Sequence, residues 1–103
     1  MKNFSVPLIL SSLCLLSSCT WVKLTTEGES VSVLTEAGVA GCMRTGTTTV
    51  EVLDKTIINR NPAKVARELR TLARNRAAGR GNAIVASTEV VDGEQTFVIY
   101  QCQ

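Results

Sequence analysis

Apolar positions along the chain fall into three patterns, and each predicts a different element. The first is a block. Phe4 to Leu16 is apolar apart from Ser5, Pro7, Ser11 and Ser12, and Lys2 stands before it. A bilayer core takes roughly 20 apolar residues as helix. The block is too short to span one and reads as an export signal that is removed. A buried amino-terminal helix is the competing reading, but Pro7 and the serines make a poor helix interior.

The second pattern recurs at helical spacing. Asn61 suits an N-cap and Pro62 the first helical position. From there to Gly79 or Gly81, at about 100° per residue, Val65, Ala66, Leu69, Leu72, Ala73 and Ala77 share one broad stripe. That stripe predicts the core face of an amphipathic helix.

The third pattern alternates. Ser30 to Leu34 has strand character, and so does "CMRTGTTTVEVLD", Cys42 to Asp54, most strongly from Thr47 to Leu53 through its β-branched residues. Gly46 marks a bulge or bend. Thr35 to Cys42, rich in small residues, reads as a turn or a short helical piece, and "KTIINRN" closes this region. "NAIVASTEVV" and "EQTFVIYQC" flank Asp92-Gly93, a strong two-residue hairpin signal. That turn places Val91 opposite Glu94, Val85 opposite Tyr100 and Ala83 opposite Cys102. Val98, Tyr100 and Cys102 then share one face, and Phe97 and Ile99 the other. Both faces are apolar, so either can meet the helix; the remaining one is covered by loops or is a contact surface. Strands, one helix and a hairpin predict an α+β fold: a small antiparallel-rich sheet with one amphipathic helix packed on a face, closed by a C-terminal hairpin.

Composition narrows this further. A chain of 103 residues is one small domain, and aromatic residues are only 4% of it, so its core rests on Val, Ile, Leu and Ala. The net charge of +2 is too small to argue for nucleic acid, and none is expected as a partner. Charge is uneven, however. Residues 62–80 carry six basic side chains and one acidic, Glu68, a net +5. Arg67, Arg70 and Arg74 lie within roughly 60° of one another, away from the apolar stripe. Such a ridge suits phosphates of lipid headgroups or lipopolysaccharide, or a carboxylate-rich protein. An ordinary solvated helix face is the plainer reading, and late cations also favour the helix dipole. Arg76 and Arg80 point nearer the stripe and are expected to snorkel or to pair with acids.

Leu16-Ser17-Ser18-Cys19 resembles the bacterial lipobox, an aliphatic residue and two small ones before a cysteine. The resemblance implies a diacylglyceryl group on the Cys19 thiol, cleavage before it and acylation of the new amino terminus. Thr20, where inner-membrane retention would use aspartate, implies the periplasmic face of the outer membrane. An ordinary cleaved signal with Cys19 merely nearby is the alternative. The boundaries expected are a signal peptide over residues 1–18, a short lipidated tether over 19–30 and a single α+β domain over 31–103. Cleavage also removes Cys14 and leaves two thiols, Cys42 and Cys102. In an oxidising periplasm they most simply pair, with free thiols or a redox-active pair as alternatives. Metal binding is weaker still, since the chain has no histidine and two thiolates are half a zinc site.

Signals for catalysis are poor. Histidine, the commonest general base, is missing. Ser30, Ser32 and Ser87 lie outside any Gly-X-Ser-X-Gly elbow. "AGRGNA" lacks the dinucleotide and Walker spacings and ends a helix where a phosphate loop would start one. No enzymatic activity, cofactor or metal is expected.

Cys19-Thr20-Trp21, the Val39-Ala40-Gly41-Cys42 turn and the stretch from Asp92-Gly93-Glu94 to Cys102 resemble a family of small bacterial lipoproteins known as a domain of unknown function. More distantly, the order of strand, cysteine, helix, "NAIV" and closing cysteine is similar to the signalling domain of RcsF-type outer-membrane stress-sensor lipoproteins. That likeness implies a disulfide-stabilised, non-catalytic α+β domain that relays envelope damage through protein contacts. Those sensors have two disulfides and a long proline-rich segment after the lipid; this chain can form one within its domain and lacks the segment. The expected role is a non-enzymatic lipoprotein that binds an envelope protein or senses envelope state. The alternative is a structural, lipid-contacting lipoprotein with Arg67, Arg70 and Arg74 on anionic headgroups.

Overall fold

The structure, a computed structural model, describes residues 22–52 and 61–103. The export signal, Cys19, Leu53 and most of "KTIINRN" lie outside the described residues. In chain order the elements are a 3-10 turn Gly28–Ser30, strand β1 Ser32–Val33, a second 3-10 turn Ala37–Val39, strand β2 Met43–Glu51, helix α1 Pro62–Ala77, and strands β3 Ala83–Ala86 and β4 Glu94–Gln101. They form an α+β fold with one four-stranded sheet in the order β1-β3-β4-β2. The β1–β3 pair is parallel and the other two are antiparallel.

Helix α1 starts and stops where its sequence requires. The Asn61 side chain accepts a hydrogen bond from the Ala63 N–H at 2.8 Å, satisfying a donor with no partner inside the helix. Pro62 follows at the position where a missing N–H costs nothing. At the other end Gly79 takes φ +83°, and the Arg80 N–H bonds back to the Ala77 carbonyl at 2.8 Å. Leu69, Ala73 and Ala77 are fully buried, and Val65 and Leu72 flank them half-buried. The alanines bring the helix backbone close to the sheet. Phe97, Ile99, Ile84, Val50, Val52 and Val31 form the sheet side of this core.

Strand β2, Met43–Glu51, falls within the stretch from Cys42 to Asp54 that carried the strand signal. The irregularity expected at Gly46 is present as a register shift between Arg44 and Gly46. Along β2, Thr48 and Val50 are buried between the exposed Thr47, Thr49 and Glu51, the alternation of a half-buried strand.

The hairpin departs from the expected register. Asp92 and Gly93 both have positive φ and Val91 does oppose Glu94. Val85, however, opposes Val98, not Tyr100, and Ala83 opposes Tyr100, not Cys102. Thr88 causes the slip. Its hydroxyl accepts from the Thr96 N–H at 3.1 Å and its carbonyl from the Gln95 side chain at 2.9 Å. This leaves Glu89 and Val90 as two extra residues on the β3 side. A slip of two keeps every side chain on its own face, so Phe97 and Ile99 meet the helix. On the other face Val39, Ala83 and Val85 pack with Leu34, Cys42, Tyr100 and Cys102. That face is therefore partly covered by the segment around the second 3-10 turn.

Candidate functional site

Two features stand apart from the core: a basic helix face crossed by the amino-terminal segment, and a covalent clasp on the opposite sheet face. The helix face begins with Lys64, Arg67 and Arg70, all three exposed. Val22 sits beside them, lining a shallow depression with Lys64, Arg67, Glu68 and Thr71. One turn further along, the Asn75 side chain holds the same segment at both ends of its amide. Its Nδ2 donates to the Lys23 carbonyl at 2.9 Å, and its Oδ1 accepts from the Thr25 N–H at 2.9 Å and the Thr25 hydroxyl at 3.1 Å. Gly28 is buried at this contact, where a Cβ would stand 2.5 Å from Asn75 Oδ1.

The described part of the residues assigned to a tether is thus bound to the helix from Val22 to Ser30. The segment is polar because its hydrogen bonds go to helix side chains, which composition alone does not distinguish from a solvated linker. Asn75→Ala should leave the Lys23 carbonyl and the Thr25 N–H without this partner, at about 1–3 kcal/mol for the local contact. Hydrogen exchange at Thr25 and Gly28 is expected to accelerate while the β4 amides keep their protection.

The ridge of three arginines is not one surface. Arg74 is half-buried; its Nε donates to the Val31 carbonyl at 2.7 Å and its Nη2 to the Glu29 carbonyl at 3.3 Å. The helical azimuth was right for Arg74, but the amino-terminal segment lies over that half of the helix and takes the guanidinium as a strut. Arg67 and Arg70 remain as the outward pair. Arg80 turns onto β2, where it donates to the Thr47 carbonyl at 3.3 Å. It passes over Gly46, where a Cβ would stand 2.7 Å from its Nη2. Of the two expectations for Arg80, snorkelling or pairing with an acid, neither describes this contact, which is to a backbone carbonyl. Arg76 lies by a groove it shares with Leu72, Glu51 and Glu94.

The clasp joins Cys42 to Cys102 across 60 residues, with the two Cα atoms 4.5 Å apart. Asn82 sets the second cysteine in place. Its Oδ1 accepts from the Cys102 N–H and its Nδ2 donates to the Cys102 carbonyl, both at 2.7 Å. The side chain thus continues the β4 ladder past the last strand residue. Asn75 and Asn82 were both missed from the sequence. A signal existed for Asn75, because asparagine inside a helix competes with the backbone for hydrogen bonds and needs a reason to be there.

Among the described residues, no three His, Cys, Asp or Glu side chains gather closely enough to hold a metal ion. No buried side-chain nitrogen or oxygen among them lacks a hydrogen-bond partner. No helix among them is long and apolar enough to cross a membrane.

Residues 22–102 match the family model described as a domain of unknown function, DUF4156. No curated protein and no solved structure matches the chain.

Proposed function

The chain belongs to the DUF4156 family, and we propose that it is a non-enzymatic lipoprotein on the periplasmic face of the outer membrane that binds an envelope protein or senses envelope state. The observation that carries this reading is Leu16-Ser17-Ser18-Cys19, set directly after a charged and then apolar leader. Diacylation and amino-terminal acylation at Cys19 place more than one chain in the bilayer, which gives stable anchoring. The Cys42–Cys102 bridge supports export, since structural disulfides persist in oxidising compartments and are rare in the cytosol. Thr20 supports the outer membrane as destination. The order of strand, cysteine, helix and closing cysteine supports a scaffold shared with RcsF-type sensors, here with one bridge.

A protein partner is testable at the exposed apolar positions. Met43 is 70% exposed at the start of β2, next to the bridge. A photo-crosslinking residue placed there in cells is expected to give one discrete adduct. A diffuse smear of products from an abundantly expressed protein would contradict the partner reading.

A further inference from the structure

Resting on lipid attachment at Cys19, we propose that the amino-terminal half of α1 lies against the anionic headgroups of the membrane that carries the protein, through Arg67 and Arg70 with Lys64 beside them. Chain geometry supplies the first argument. Val22 lines one depression with Lys64, Arg67, Glu68 and Thr71, and three residues span at most ~11 Å even when fully extended. A lipid on Cys19 therefore holds this part of the helix close to the bilayer surface. A linker of the length usual in tethered domains would let the domain turn freely; this one is consumed by its own contacts with Asn75 and Arg74.

Charge supplies the second argument. Lys64, Arg67, Glu68 and Arg70 sum to +2 on the surface next to the anchor. Attraction between exposed charges decays over roughly 8 Å at physiological ionic strength, a distance comparable to the reach of the three-residue link, so the tether brings the basic face to where phosphates act on it. Each basic residue held at an anionic surface is worth roughly a fivefold gain in partition. The docking orients the molecule: helix toward the bilayer, and the sheet face carrying Thr47 and the disulfide away from it. The partner surface proposed above then stays open. Arg74, already bound to the Val31 and Glu29 carbonyls, keeps the tethering segment in place and does not touch lipid.

The acylated protein, reconstituted in vesicles doped with nitroxide-headgroup lipid, tests this. A fluorophore is placed at Ala63→Cys, on the exposed first turn of α1, or at Thr47→Cys, on the exposed opposite sheet face. In vesicles of phosphatidylethanolamine and phosphatidylglycerol, quenching at residue 63 should exceed that at 47 severalfold. Arg67→Glu with Arg70→Glu should remove most of the difference, at an unchanged melting temperature, and so should replacing the lipid with phosphatidylcholine. Equal quenching at both sites, or a difference indifferent to charge reversal, overturns the docking and leaves the anchor standing. Charge reversal that instead abolishes a crosslinked adduct in cells assigns the face to a protein and also overturns it. Protein that carries no acyl chain and stays outside the vesicles overturns the anchor, and the docking with it.

Discussion

Leu69→Asp is expected to abolish the cooperative thermal transition. Leu69 is fully buried in the helix stripe, in the cluster that holds Phe97, Ile99, Ile84 and Val31. Removing the side chain alone costs about 2–5 kcal/mol in a well-packed core. A carboxylate in its place adds the desolvation of an unpaired charge. Among the described residues the core is small, with alanines supplying much of the helix side, so few neighbours can rearrange to admit water. The sum meets or exceeds the ~5–15 kcal/mol by which domains of this kind are stable. Circular dichroism should show no sigmoidal melt for Leu69→Asp, while Leu69→Ala keeps one at lower temperature. A retained transition in Leu69→Asp would show that the stripe does not form the core.

Breaking the disulfide is the second large effect. Its 60-residue loop removes, in the chain-entropy account, roughly 4 kcal/mol of freedom from the unfolded chain. For a domain of this size each kcal/mol moves the melting temperature by about 4–8 °C, so Cys42→Ser with Cys102→Ser should lower it by roughly 15–30 °C. The native contacts add to the entropic term. Cys42 and Cys102 pack with Val39, Val85 and Tyr100 on the sheet face away from the helix, so the bridge ties the end of the segment carrying the second 3-10 turn to the end of β4. Reductant should reproduce the loss in the unmodified protein and do nothing further to the double variant. A melt indifferent to reductant would mean that the bridge does not stabilise the fold.

Periodicity carried the fold a long way. The helix could be read to its caps because Asn61, Pro62 and Gly79 each act locally, through one hydrogen bond or one dihedral. The hairpin turn was readable for the same reason, as Asp92 and Gly93 supply the positive φ themselves. Its register was not, because the slip is set by the Thr88 hydroxyl and the Gln95 amide, and side-chain bonds of this kind leave no trace in hydrophobic alternation. The assignment of faces survived because the slip is even. The candidate site was less readable. Helical azimuth placed Arg67, Arg70 and Arg74 together, but azimuth says nothing of what crosses above a helix. By composition the segment from Val22 to Ser30 reads as a polar tether, because its partners, Asn75 and Arg74, are themselves polar and distant in sequence. Contacts between polar residues some 50 positions apart have no period to detect.

On the proposed lipidation of Cys19, the docking of that segment would give the anchor a structural consequence, since a short and occupied linker would hold α1 near the bilayer, where Arg67 and Arg70 set the orientation. All of this depends on the chemical state of one thiol. Metabolic labelling with palmitate in cells expressing the wild-type chain or Cys19→Ala, followed by membrane fractionation, reads it directly. The account predicts label in a wild-type protein that sediments with the outer membrane, and neither label nor sedimentation for Cys19→Ala. An unlabelled wild-type protein that fractionates identically to Cys19→Ala would contradict it.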